Sequence, residues 1–165
     1  MQDHSSAQPS TATRRTTVIL AIMLTVAVFA VDQGLKWYVE DIMRIGQSIE
    51  VVPGILSITH IKNDGGAFGL LAGRGVILLA GSAVAVTVVI WMLFAGPPSR
   101  VTAVACGAIL GGAAGNLLDR LQSGAVTDYV HFSFWYIFNA ADAAIVVGVA
   151  LLLLSSLRRT DDAKG

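Results

Sequence analysis

Four long stretches of this chain carry no charged side chain, and no other feature limits its fold as strongly. No Asp, Glu, Lys or Arg lies between Arg15 and Asp32, between Arg74 and Arg100, between Arg100 and Asp119, or between Asp142 and Arg158. Each gap is close to the ~17–25 apolar residues that carry a helix across a bilayer. Composition agrees: 13% of the 165 residues are charged, where a soluble domain carries about 25%. The expected fold is therefore mainly α and integral to a membrane, with four transmembrane helices near residues 15–38, 75–95, 101–119 and 139–157.

Four spans put both termini on one side. Lys and Arg near span ends set which side that is. Arg14, Arg15, Arg100, Arg158, Arg159 and Lys164 fall on the terminal side, against Lys36, Arg44, Lys62, Arg74 and Arg120 opposite. The terminal side is accordingly expected to be cytoplasmic. Residues 15–30 also have the outline of a cleavable signal peptide, with Val28-Phe29-Ala30 as a small-residue site. The length of that apolar run, and its continuation into Asp32 and Lys36, favour a retained span. Residues 1–13 are polar and read as a disordered cytoplasmic tail, leaving 14–165 as a single four-span domain.

Between the spans the texture changes. Residues 41–70 are rich in β-branched side chains around Pro53-Gly54, the pattern of a small extracytoplasmic β-sheet or hairpin. The cluster "NDGGAFG" at 63–69 is either an ordinary loop or a place where backbone approaches a ligand closely. Gly107, Gly111 and Gly115 recur every four residues in the third span, a face suited to a closely packed neighbouring helix. Cys106, the single cysteine, rules out an internal disulfide and reads as a small packing residue. The segment 120–138 is expected as an extracytoplasmic or interfacial loop. It holds Tyr129, Phe132, Phe134, Trp135, Tyr136 and Phe138, half of the 12 aromatics, and such side chains favour the headgroup region.

The four-span topology gathers Asp32, Lys36, Asn63, Asn116, Asp119, Arg120, Asp128, Asn139 and Asp142 at one leaflet. Asp32 and Lys36 stand four apart, the spacing of a helical ion pair, which either anchors the interface or braces a site. Asn139 can cap the fourth span with Asp142 in its first turn, where a carboxylate suits the helix dipole. Two carboxylates brought close and partly desolvated split their proton affinities. One then holds a proton while the other stays ionised, an arrangement able to activate water. No Ser/His/Asp set or phosphate loop competes, and His60 and His131 lack a partner at metal spacing.

At these residues the sequence resembles the bacterial lipoprotein signal peptidases, the signal peptidase II family. The resemblance rests on "DQGLK" at 32–36, "NDGGAFG" at 63–69, "GNLLDRLQSGAVTDY" at 115–129 and "FNAAD" at 138–142. It implies a membrane-embedded aspartic endopeptidase that cuts prolipoproteins on the N-terminal side of a diacylglyceryl-modified cysteine at the outer leaflet. The implied catalytic pair is Asp128 and Asp142. Asp32, Lys36, Asn63, Gly65, Asn116, Asp119, Arg120, Asn139 and Ala141 would support the site or hold substrate. No metal, nucleotide or covalent intermediate is implied. The implied partners are lipid-modified prolipoproteins and membrane lipids, with no nucleic acid and a monomeric enzyme. Three departures from the family pattern stand out: Gly66 where Ala is usual, "TDY" for the commoner "VDF", and a short stretch between Asp128 and Asn139. The main rival is a small proton-coupled transporter, which would place its carboxylates at mid-span. A scaffold built on the glycine face is a second rival.

Overall fold

The central helix of the computed structural model is the glycine-bearing one. The structure describes residues 11–64, 75–95 and 99–162. In chain order these form α1 (Thr11–Ile42), β1 (Ser48–Val52), β2 (Leu56–Asn63), α2 (Gly75–Ala95), α3 (Arg100–Ser123), β3 (Val126–Phe132) and α4 (Ala140–Asp162). A methyl group on Gly107 would stand 2.8 Å from the Ala21 carbonyl oxygen, and one on Gly111 2.7 Å from that of Thr25. α1 therefore lies directly on the glycine face of α3. On its other side, Gly112 admits the Ala141 carbonyl of α4, and Gly148 of α4 sits against the Ala105 carbonyl. Glycine removes the side chains that would hold these backbones apart.

Burial follows from that arrangement. In the apolar stretch of α3, 61% of residues are buried, against 11% in those of α1 and α4. The outer helices turn Ile22, Met23, Val26, Val146, Leu153 and Leu157 outward, as expected where hydrocarbon rather than water is the solvent. Thr13–Ile42, Arg100–Ser123 and Ala140–Leu157 are long and apolar enough to cross a membrane, and α2 contributes a shorter apolar stretch, Ala80–Ala95. Cys106 is fully buried with Val89 and Ile109, under Leu93, Leu110 and Leu152, in a packing role.

The hairpin expected within 41–70 is present as β1 and β2, antiparallel and joined at Pro53-Gly54, where Gly54 takes φ +69°. The expected loop at 120–138 is different. α3 runs on to Ser123 and ends on Gly124, whose left-handed conformation (φ 76°) returns its N–H to the Arg120 carbonyl. Residues 126–132 then form a third strand, giving the antiparallel order β1-β2-β3. Val126, Thr127 and Val130 are β-branched and suit a pleated, half-buried surface. The crowd of aromatics around them masked that pattern in the sequence. The register sets Ile61 opposite Asp128, Lys62 opposite Thr127 and Asn63 opposite Val126. Val39, Met43 and Tyr129 form a small core that seats the end of α1 on the sheet.

Candidate active site

The helix dipole and cap anticipated for the fourth span are the starting point. A helix leaves its first N–H groups without partners inside the helix, and in α4 two other elements and the helix's own cap residue meet them. The Ala140 N–H donates to the Tyr129 hydroxyl of β3 (3.2 Å). The Ala141 N–H donates to Asp32 Oδ1 of α1 (2.9 Å), and the Asp142 N–H to Asn139 Oδ1 (2.9 Å). Asp142 Oδ2 in turn accepts the Asn139 N–H at 3.4 Å, closing a reciprocal capping box. The cap thus fixes where the Asp142 carboxylate points.

Asn139 is fully buried and also serves the neighbouring strand. Its Nδ2 donates to Asp128 Oδ1 (2.6 Å), to Asn116 Oδ1 (3.1 Å) and to the Thr127 carbonyl (3.3 Å). Asp128 Oδ2 accepts from Asn63 Nδ2 (2.8 Å), and Asp142 Oδ1 accepts from Asn116 Nδ2 (2.8 Å). Asp128 is buried, and its carboxyl is pushed up to about 6, mainly by burial and further by the nearby Asp142 charge; the Asn63 and Asn139 hydrogen bonds and the Lys36 charge oppose the rise. Burial also pushes the Tyr129 phenol up to about 12, so it stays protonated while its oxygen caps α4.

A second cluster lies beside the first, and its electrostatics differ. Lys36 Nζ reaches Asp32 Oδ2 (2.8 Å), Asp119 Oδ2 (2.8 Å) and Asn116 Oδ1 (2.9 Å). Its three ammonium protons thus have three acceptors. Asp119 Oδ1 accepts from Gln33 Nε2 (3.0 Å) and Oδ2 from the Thr127 N–H (3.2 Å). Both oxygens of Asp119 are therefore taken up within the protein. Among the described residues, Asp32 and Asp119 share a lysine, whereas Asp128 and Asp142 are hydrogen-bonded by amide groups and form no ion pair. Arg120, half-buried on α3, donates weakly to the Asn116 carbonyl (3.5 Å) and lies within electrostatic reach of Asp142, Asp128 and Asp119.

All but one of the residues singled out in the sequence meet in this centre. Gly65, with the rest of the glycine cluster from residue 65 on, lies outside the described residues. Ala141 contributes its N–H and the backbone contact with Gly112. The sequence does not single out Gln33, although it adjoins Asp32 in "DQGLK", nor Thr127, which is fully buried. A cleft of about 280 Å³ opens beside the centre between α1 and α4, lined by Ala27, Val28, Val31, Ala140 and Ala144.

A bundle of apolar helices bearing buried carboxylates where a small sheet meets it is the build of a membrane-embedded enzyme of the aspartic type. Comparison with known proteins makes that class specific. The family model described as signal peptidase (SPase) II matches residues 24–158, and the chain belongs to that family. Among curated relatives, a protein of Desulfitobacterium hafniense named lipoprotein signal peptidase is 39% identical over 84% of this chain and 93% of its own length. Proteins of the same name from Anoxybacillus flavithermus (37% identical, over 90% of this chain and 91% of the relative) and Halothermothrix orenii (33%, 82% and 93%) are similar in the same way. Two solved structures described as bacterial membrane enzymes superpose with TM-scores of 0.80 and 0.74. They are 29% and 31% identical, cover 86% and 83% of this chain, and are themselves covered to 90% and 92%. The chain is thus a bacterial membrane protein and an aspartic-type peptidase, which overturns the transporter reading.

Proposed function

We propose that this enzyme removes signal peptides from diacylglyceryl-modified prolipoproteins, cutting on the N-terminal side of the lipid-modified cysteine, with Asp128 and Asp142 as the catalytic pair. One observation carries the reading. Of the four acids in the centre, Asp32 and Asp119 are both paired with Lys36, while Asp128 and Asp142 are held by neutral amides and remain open to proton transfer.

Four carboxylates against Lys36 and Arg120 favour retention of one proton in the centre. The ionised member of the pair takes a proton from water as that water attacks the scissile carbonyl. The protonated member donates to the carbonyl oxygen as the tetrahedral intermediate forms. Collapse of the intermediate breaks the C–N bond: the proton taken from water passes to the leaving amine, and a hydroxyl proton of the intermediate returns to the other aspartate, so that a carboxylic acid leaves and the pair again holds one proton. Asn139 and Asn116 hold both acids in place through this exchange. The apolar cleft between α1 and α4 suits an acyl chain of the substrate, and the sheet offers extended backbone to its peptide. Both termini are cytoplasmic in this reading, the site faces the extracytoplasmic side, and the single four-span domain acts as a monomer.

The test is cleavage by purified enzyme in detergent, on lipid-modified and unmodified precursors. Asp128→Asn and Asp142→Asn should each lower turnover by about 10²–10⁴-fold, the usual worth of a general acid or base. Near-wild-type turnover in either variant would remove it from the catalytic pair. Equal cutting of both precursors would overturn the substrate assignment.

A further inference from the structure

Thr127 precedes Asp128 on β3, and its three polar groups engage four different residues. Its N–H is held by Asp119 Oδ2 (3.2 Å) and its carbonyl by Asn139 Nδ2 (3.3 Å), both inside the buried centre. Its hydroxyl turns the other way, donating to Glu40 Oε1 and accepting from Lys62 Nζ (2.8 Å). Lys62 and Glu40 are themselves paired at 2.6 Å and are 28% and 41% exposed. A fully buried side chain thus joins an ion pair at the protein surface to the backbone that carries Asp128.

The three residues come from three elements. Glu40 belongs to the last turns of α1, Lys62 to β2 directly opposite Thr127, and Thr127 to β3. The Val39–Met43–Tyr129 core seats the sheet on α1 through apolar contact, and the Glu40–Lys62 pair ties β2 to that helix. The Thr127 hydroxyl adds the directional link from β3, because its donor and acceptor directions are both used and one partner sits on the helix. Hydrogen bonds to charged groups are the stronger kind, and this one is one residue away from Asp128.

We propose that Glu40, Lys62 and Thr127 form a clamp that sets the position of the Asp128 carboxylate relative to Asp142, with Thr127 as a positioning residue for the reaction. The proposal deepens the catalytic reading above and rests on it. A valine at 127 has the same shape and leaves the Glu40–Lys62 pair intact, so the fold is kept while the link is cut.

The test is steady-state cleavage of a lipid-modified prolipoprotein by the purified full-length enzyme. Thr127→Val should lower kcat about tenfold, near the low end of what losing a hydrogen bond to a charged group is worth, with KM unchanged. Thr127→Ser, which keeps the hydroxyl, should recover most of the loss. Glu40→Ala should cost turnover on its own but add nothing in the Thr127→Val background, because both act through one link. Wild-type kcat in Thr127→Val, a loss confined to KM, or losses that multiply in the double variant would each overturn the clamp. Asp128→Asn, assayed alongside, keeps the two readings apart: its retention of turnover would overturn the catalytic assignment, whatever Thr127→Val does.

Discussion

Replacing Asp128 with asparagine should make the protein more stable above pH 6 even as turnover falls, and the size of that gain follows from the site. The folded environment moves this carboxyl from 3.8 to about 6. Between those values the folded protein retains a proton that the unfolded chain has released. Stability therefore falls as pH rises through this window, and by pH 7 the loss approaches about 3 kcal/mol. Asparagine does not titrate, so the variant escapes the loss. It introduces a constant penalty instead, because its amide offers one oxygen where Asn139 and Asn63 now donate to two. That penalty, about 1 kcal/mol, shifts the variant's whole curve and leaves its slope unchanged. Thermal unfolding in detergent from pH 4 to 8, for wild type and variant, separates the two effects. The difference in Tm should open in the variant's favour by roughly 6–12 °C from the acid end to pH 7, at about 2–4 °C per kcal/mol for a chain of this size. Parallel curves would show that Asp128 does not titrate in the window. A difference closing as pH rises would show that its carboxyl is lowered by folding, and either result would refute the account of its burial.

Lys36→Met should destabilise the protein by about 3–5 kcal/mol, since it strands the buried Asp32 and Asp119 without a cation; loss of folded yield or a steep fall in Tm would register it. Gly115→Ala sets a methyl group against the Asp32 carboxylate and should cost about 1–3 kcal/mol by overpacking, whereas Gly34→Ala, where nothing stands within 4 Å, should leave Tm nearly unchanged. Asn139→Ala removes a helix cap worth about 1 kcal/mol together with the contact to Asp128, so turnover should fall far more than stability, which paired kinetic and unfolding measurements would reveal.

How much of this is legible in the sequence depends on the kind of contact. Asp128 and Asp142 stood out because a carboxylate in an apolar chain is conspicuous, and Asn139 because a cap is local, three residues from the group it serves. The Asp32–Lys36 pair was readable for the same reason, being one helical turn apart. Asp119 as a second partner of Lys36 was not, because that contact depends on how closely α1 and α3 approach. The third strand is not legible, because its β-branched residues are interleaved with aromatics that suggest a membrane surface. Thr127 appeared only as a departure from the family pattern, since its hydroxyl contacts span 65 and 87 residues and exist only once β2, β3 and α1 have met.

The two ends of one carboxamide give the centre a built-in handedness. Asn139 offers its nitrogen to Asp128 and its oxygen to the amide of Asp142, so two identical acids are distinguished by the protein before any ligand arrives. Turning the amide over would break both contacts. An inhibitor designed with two-fold symmetry, as though the pair were mirror images, would meet different surroundings with its two halves: Asn63 and Asn139 at Asp128, Asn116 at Asp142.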